Sequence, residues 1–114
     1  MNFGEFTAAG EPQQPTPPSL APHIPTVAAF SSLCAALSRR ILRLFAQALA
    51  IDPTAGGAEY FTASHTAENG PSGSIMRLLY YPETSGEYDH LSDIRAGAHS
   101  DYGTPTFPSS ASVS

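Results

Sequence analysis

The sequence predicts an α+β chain, on three observations: one long amphipathic helix, one apolar strand ending at a proline, and a second extended stretch carrying a tight His-x-Asp pair. The helix is read from Val27, Phe30, Cys34, Leu37, Ile41, Leu44, Ala48 and Ile51, which recur at spacings of three and four. The strand is the aliphatic and aromatic run Ser74-Ile75-Met76-Arg77-Leu78-Leu79-Tyr80-Tyr81, stopped by Pro82. The second stretch is Ile94-Arg95-Ala96-Gly97-Ala98-His99-Ser100-Asp101-Tyr102-Gly103-Thr104. Extended, its period of two puts His99 and Asp101 on one face, with Ser100 and Tyr102 on the other.

Taken in order, residues 1–25 hold six of the eleven prolines and read as an extended arm. Pro15-Thr16-Pro17-Pro18 offers a polyproline II ligand; a segment laid over a neighbouring domain is the simpler reading. The main domain spans residues 26–104. Thr26 is the expected N-cap of the helix, and Asp52-Pro53 with Gly56-Gly57 its stop. Ser31, Ser32, Ser38, Arg39, Arg43 and Gln47 form the wet side, while Leu33, Leu42, Phe45 and Leu49 widen the apolar stripe beyond one partner's reach. Cys34 lies on that stripe as a buried, inert thiol. Residues 58–63 read as a second short helix anchored by Tyr60 and Phe61, and residues 68–73 as a turn cluster. An acidic loop with Glu83, Glu87, Asp89 and Asp93 leads into the second extended stretch, and residues 105–114 are a disordered Ser/Pro-rich tail.

Bulk properties exclude several functions. Ten acidic residues stand against five arginines and no lysine, a net charge of -5, which argues against nucleic-acid binding. A single cysteine rules out an internal disulfide and a thiolate zinc site. The apolar run, interrupted by Arg39, Arg40 and Arg43, is not expected to span a membrane, and no signal-peptide order opens the chain, so a cytoplasmic location is expected.

His99 and Asp101 are two thirds of the 2-His-1-carboxylate set that holds non-haem Fe(II) by one side of its octahedron. A bare His-x-Asp also serves surface or capping duty, so its surroundings matter. Residues 71–82, Pro71-Ser72-Gly73-Ser74-Ile75-Met76-Arg77-Leu78-Leu79-Tyr80-Tyr81-Pro82, followed by residues 93–104 with the string RAGAHSDYG at 95–103, resemble the 2-oxoglutarate/Fe(II)-dependent dioxygenases of the isopenicillin N synthase-like group, especially fungal ones. Asn2-Phe3-Gly4-Glu5 and the long helix are similar to segments that precede that core.

The resemblance implies a double-stranded β-helix, or jelly roll, with helices packed outside. It makes His99 and Asp101 the first two ligands of Fe(II), as neutral imidazole and ionised carboxylate. Tyr81 matches a tyrosine that contacts the 2-oxoglutarate or substrate carboxylate, whereas Leu79 stands where many plant relatives have asparagine. Ser100 and Tyr102 would face away and pack the strand. The implied reaction converts 2-oxoglutarate to succinate and carbon dioxide while oxidising a C–H bond of a small organic substrate.

The third ligand histidine and the Arg-x-Ser that clamps 2-oxoglutarate have no counterpart here. Only His23, His65 and His90 remain, of which His90 lies nearest the pair. After Thr104, Pro105 replaces the family's apolar strand. A jelly roll needs about eight strands and two are legible, so the expectation is an incomplete barrel: a fragment, by frame shift, mis-splicing or truncation, inactive alone. A non-catalytic interaction module or degenerate pseudoenzyme is the rival from another class, and a complementing chain supplying the missing strands is a third.

Overall fold

The computed structural model describes residues 1–66, 73–82, 86, 89, 92, 94 and 97–109. The chain divides into two compact units, Met1–Arg77 and Leu78–Ser114. The first is built on one helix, α1 (Ile24–Ala48). A short strand, β1 (Asn2–Phe3), pairs antiparallel with β2 (Met76–Arg77), setting Asn2 opposite Arg77 and Phe3 opposite Met76. The Arg77 guanidinium donates to Asn2 Oδ1 at 3.2 Å, joining the two ends of the unit.

The arm expected to be extended throughout is partly folded. Phe6 bridges Pro12 across a tight turn, where Thr7 accepts from the Gly10 amide at 2.8 Å and donates its own amide to Glu11 at 2.9 Å. The Phe6 ring stacks on Phe3, centroids 5.7 Å apart. Residues Pro18–His23 form a 3-10 helix containing Pro22, which runs directly into α1. Proline density does not forbid this. Near a helix start the missing N–H is one that has no intrahelical partner anyway, and φ is already helical.

For the same reason α1 begins earlier than Thr26 implies. His23 is the N-cap and Pro25 sits in the first turn. The helix also ends earlier than Asp52-Pro53. The Ala50 amide donates to Gln47 O at 3.0 Å and the Ile51 amide to Ala46 O at 3.1 Å, and Ala50 takes φ 50°, a left-handed C-terminal cap. Asp52 instead caps a 3-10 turn, Pro53–Ala55, accepting from the Thr54 amide at 2.7 Å. Gly56, at φ 116°, reverses the chain beneath Tyr60. The short helix expected at 58–63 is two further 3-10 turns, Gly57–Glu59 and Thr62–Ser64.

The core lies along one side of α1. Ile24, Ala28, Leu42 and Ala46 are buried there, with Phe3 wholly enclosed at 0% exposure. Thr62, also buried, bonds to the Glu59 side chain, whose other oxygen takes the Arg43 guanidinium at 2.7 Å. The expected stripe is split: Val27, Cys34, Ile41 and Ile51 are half-buried, while Phe30, Leu37, Leu44 and Ala48 are exposed. Phe30, Leu33, Leu37, Leu44, Phe45 and Leu49 are exposed, and Leu42, one of the broadening residues, is buried instead. Cys34, expected buried, is half-buried.

The 3-10 helix and α1 together, Pro18–Ala48, are long and apolar enough to cross a membrane. No Asp, Glu, Lys or Arg lies between residues 24 and 38, so the arginines follow the apolar window and do not break it. Core helices of soluble proteins and signal sequences near an N-terminus share that length and composition, and little of this apolar window is buried.

The strand expected over 74–81 forms only at Met76–Arg77, because β1 offers a ladder two residues long. Ile75, Leu79 and Tyr80 are exposed. Among the described residues these two strands make the whole sheet; the jelly roll remains an expectation of the resemblance.

Candidate functional site

His99 and Asp101 belong to the second unit and to a segment, residues 97–102, that is in no strand. Even so, the two side chains meet. His99 Nε2 lies 3.2 Å from Asp101 Oδ1, with the side chains 69% and 50% exposed. His99 Nδ1 lies 2.8 Å from the Gly97 carbonyl oxygen. That oxygen can only accept, so Nδ1 carries the proton that makes the bond. The Gly97 carbonyl, and after it the Asp101 carboxylate, raise the His99 pKa above the ordinary imidazole value.

The donor set fits one divalent ion at two positions. Imidazole nitrogen and carboxylate oxygen are the donor types that non-haem iron takes. Among the described residues no group of three or more His, Cys, Asp or Glu is gathered to hold a metal. His23 stands at the N-cap of α1 without a side-chain capping bond, and His65 follows the Thr62–Ser64 turn, its backbone N–H donating to Thr62 O; both belong to the first unit. His90 lies outside the described residues.

Tyr81 is half exposed, in the same unit as the pair. Leu79 is more open still. Tyr102, expected to pack the strand, is wholly exposed at 104%. A Cβ placed on Gly97 would meet none of the described residues within 4 Å. Its contribution to the site is its carbonyl. No sequence signal marks that role, because every residue has a carbonyl.

A UPF0676 protein of Schizosaccharomyces pombe is 35% identical to the chain over 89 residues. The chain is a distant homologue of that protein. The match takes in 78% of the chain and 25% of the relative, so the chain spans about a quarter of the length of the curated protein it matches. No family model matches the chain. No solved structure matches it.

Proposed function

We infer that the chain carries two of the three protein ligands of a non-haem Fe(II) centre, His99 and Asp101, in a 2-oxoglutarate-dependent dioxygenase acting on a small organic molecule. The reading rests on one observation, the 3.2 Å approach of His99 Nε2 to Asp101 Oδ1 with Nδ1 already engaged by a backbone carbonyl. The flanking residues that resemble the dioxygenases support it. When bound, iron with 2-oxoglutarate would supply oxygen activation, coupling loss of carbon dioxide to oxidation of a substrate C–H bond. The protein's part is positional. Asp101 would offer a carboxylate oxygen, His99 would offer a neutral nitrogen once its Nε2 proton has left, and Tyr81 would donate its phenolic hydrogen to a carboxylate of 2-oxoglutarate.

A third donor and a cation for the far carboxylate would come from residues beyond these 114, in the same protein or a complementing chain. The dioxygenase activity is thus proposed for the assembled protein. The 114 residues alone would bind metal weakly and turn nothing over.

The test is anaerobic titration of the chain with Mn(II), followed by electron paramagnetic resonance of the free ion. Wild type is expected to take up Mn(II) weakly, and Asp101→Ala or His99→Ala to lose on the order of 10- to 100-fold in affinity. Unchanged uptake in both variants would remove the metal reading. Succinate formation, measured with Fe(II), 2-oxoglutarate and oxygen, should be absent for the chain alone.

A further inference from the structure

We propose that the Gly97 main-chain carbonyl is a positioning group that holds His99 by Nδ1, so that Nε2 is the nitrogen presented beside Asp101. The inference deepens the metal-site reading and rests on it for its purpose, though the contact itself can be examined with no metal present. Its basis is geometric: 2.8 Å from Nδ1 to the Gly97 oxygen and 3.2 Å from Nε2 to Asp101 Oδ1, on opposite edges of one ring.

The two contacts have different consequences for the ring. A doubly protonated imidazole satisfies both acceptors. A neutral one has a single proton, for which the Gly97 carbonyl and the Asp101 carboxylate compete. Asp101 would draw it to Nε2 and close the nitrogen that should ligate. Gly97 draws it to Nδ1 and leaves the Nε2 lone pair free. The shorter distance is to Gly97, and a cation seated between Nε2 and Asp101 would end the competition in its favour. Histidine ligands are generally oriented this way, by an acceptor on the far ring nitrogen.

The device is local. Its two partners are separated by Ala98 alone, so His99 is aimed before any distant part of the protein arrives. It also asks for no particular side chain at residue 97, where a methyl group would meet none of the described residues within 4 Å.

The experiment is a long-range proton–nitrogen correlation spectrum of the full chain, histidine-labelled with nitrogen-15, above the imidazole titration range. Wild type and Asp101→Ala are compared, each with and without Zn(II). Asp101→Ala removes the competing acceptor, so His99 should show Nδ1 protonated and Nε2 bare; Gly97→Ala should leave that pattern intact. Zn(II) added to wild type should shift Nε2 and leave the proton on Nδ1. A proton on Nε2 in Asp101→Ala, or a zinc shift on Nδ1, would overturn the inference. If zinc moves neither nitrogen while Asp101→Ala keeps its Nδ1 proton, the positioning contact stands and the metal reading fails.

Discussion

At the scale of single residues, the structure turns on side chains whose role is set by a neighbour two to four positions away. Ala50 carries the left-handed turn that ends α1, with φ 50°, a conformation in which a Cβ is crowded and glycine is not. Ala50→Gly should therefore raise stability by about 0.5–1 kcal/mol, read as a higher midpoint in thermal circular dichroism. Glu59 is held below the ordinary glutamate pKa by its Thr62 bond and then by Arg43, and Asp52 below the aspartate value by Thr54. Folding thus releases protons from both groups. Their contribution is present above the unfolded-state pKa values and is lost as pH falls through the lower folded ones, below about pH 4. In melts recorded across that range, Glu59→Gln should flatten the acid limb of stability relative to wild type. The pairing of His99 with Asp101 was legible because alternate residues of an extended chain share a face, and the contact persists although no strand forms. The Gly97 carbonyl was not legible, being a main-chain atom.

At the scale of elements, the periodicity of α1 announces a helix but not which side meets the core. Its apolar residues occupy more than half the circumference, so two faces compete. The small residues Ala28 and Ala46, with Ile24 and Leu42, win the inner one because they let the 3-10 turns and the N-terminal segment approach closely. Hydrophobic weight alone would have chosen the side with Phe30 and Leu37. The helix ends were misplaced for reasons of backbone geometry: prolines fit the first turn, and an alanine rather than a glycine closes the last. The strand at 74–81 was overestimated because composition gives a capacity to pair, while length is fixed by the partner. The choice of face is testable with two leucines of one helix. Leu42, 3% exposed, should cost about 2–5 kcal/mol when replaced by alanine, whereas Leu33→Ala, at 69% exposed, should stay within about 0.5 kcal/mol of wild type. Equal losses would mean that both faces of α1 are covered.

At the scale of the whole molecule, the outward side of α1 sets the solution behaviour. Phe30, Leu33, Leu37, Leu44, Phe45 and Leu49 are exposed along one helix, whereas the buried apolar set is Phe3, Ile24, Ala28, Leu42 and Ala46. Scattered surface leucines are ordinary, but Phe30, Leu33, Leu37 and Leu44 fall on one side of α1 by their spacings of three, four and seven, and a row of that kind leaves apolar surface in water. Ile75, Leu79 and Tyr80 are exposed as well. A helix presenting such a row should expose apolar surface to solvent. The 114 residues are therefore expected to bind an apolar dye such as anilinonaphthalene sulfonate while still folded, and to grow in apparent mass with concentration under light scattering. Leu33→Lys, Leu37→Lys and Leu44→Lys together should suppress both signals and leave the helical circular dichroism in place, because none of the three reaches the core. Were the wild-type chain monomeric and dye-silent, the row would have to be covered by the chain itself. Loss of helicity in the triple variant would instead place these leucines in the packing that holds α1 together.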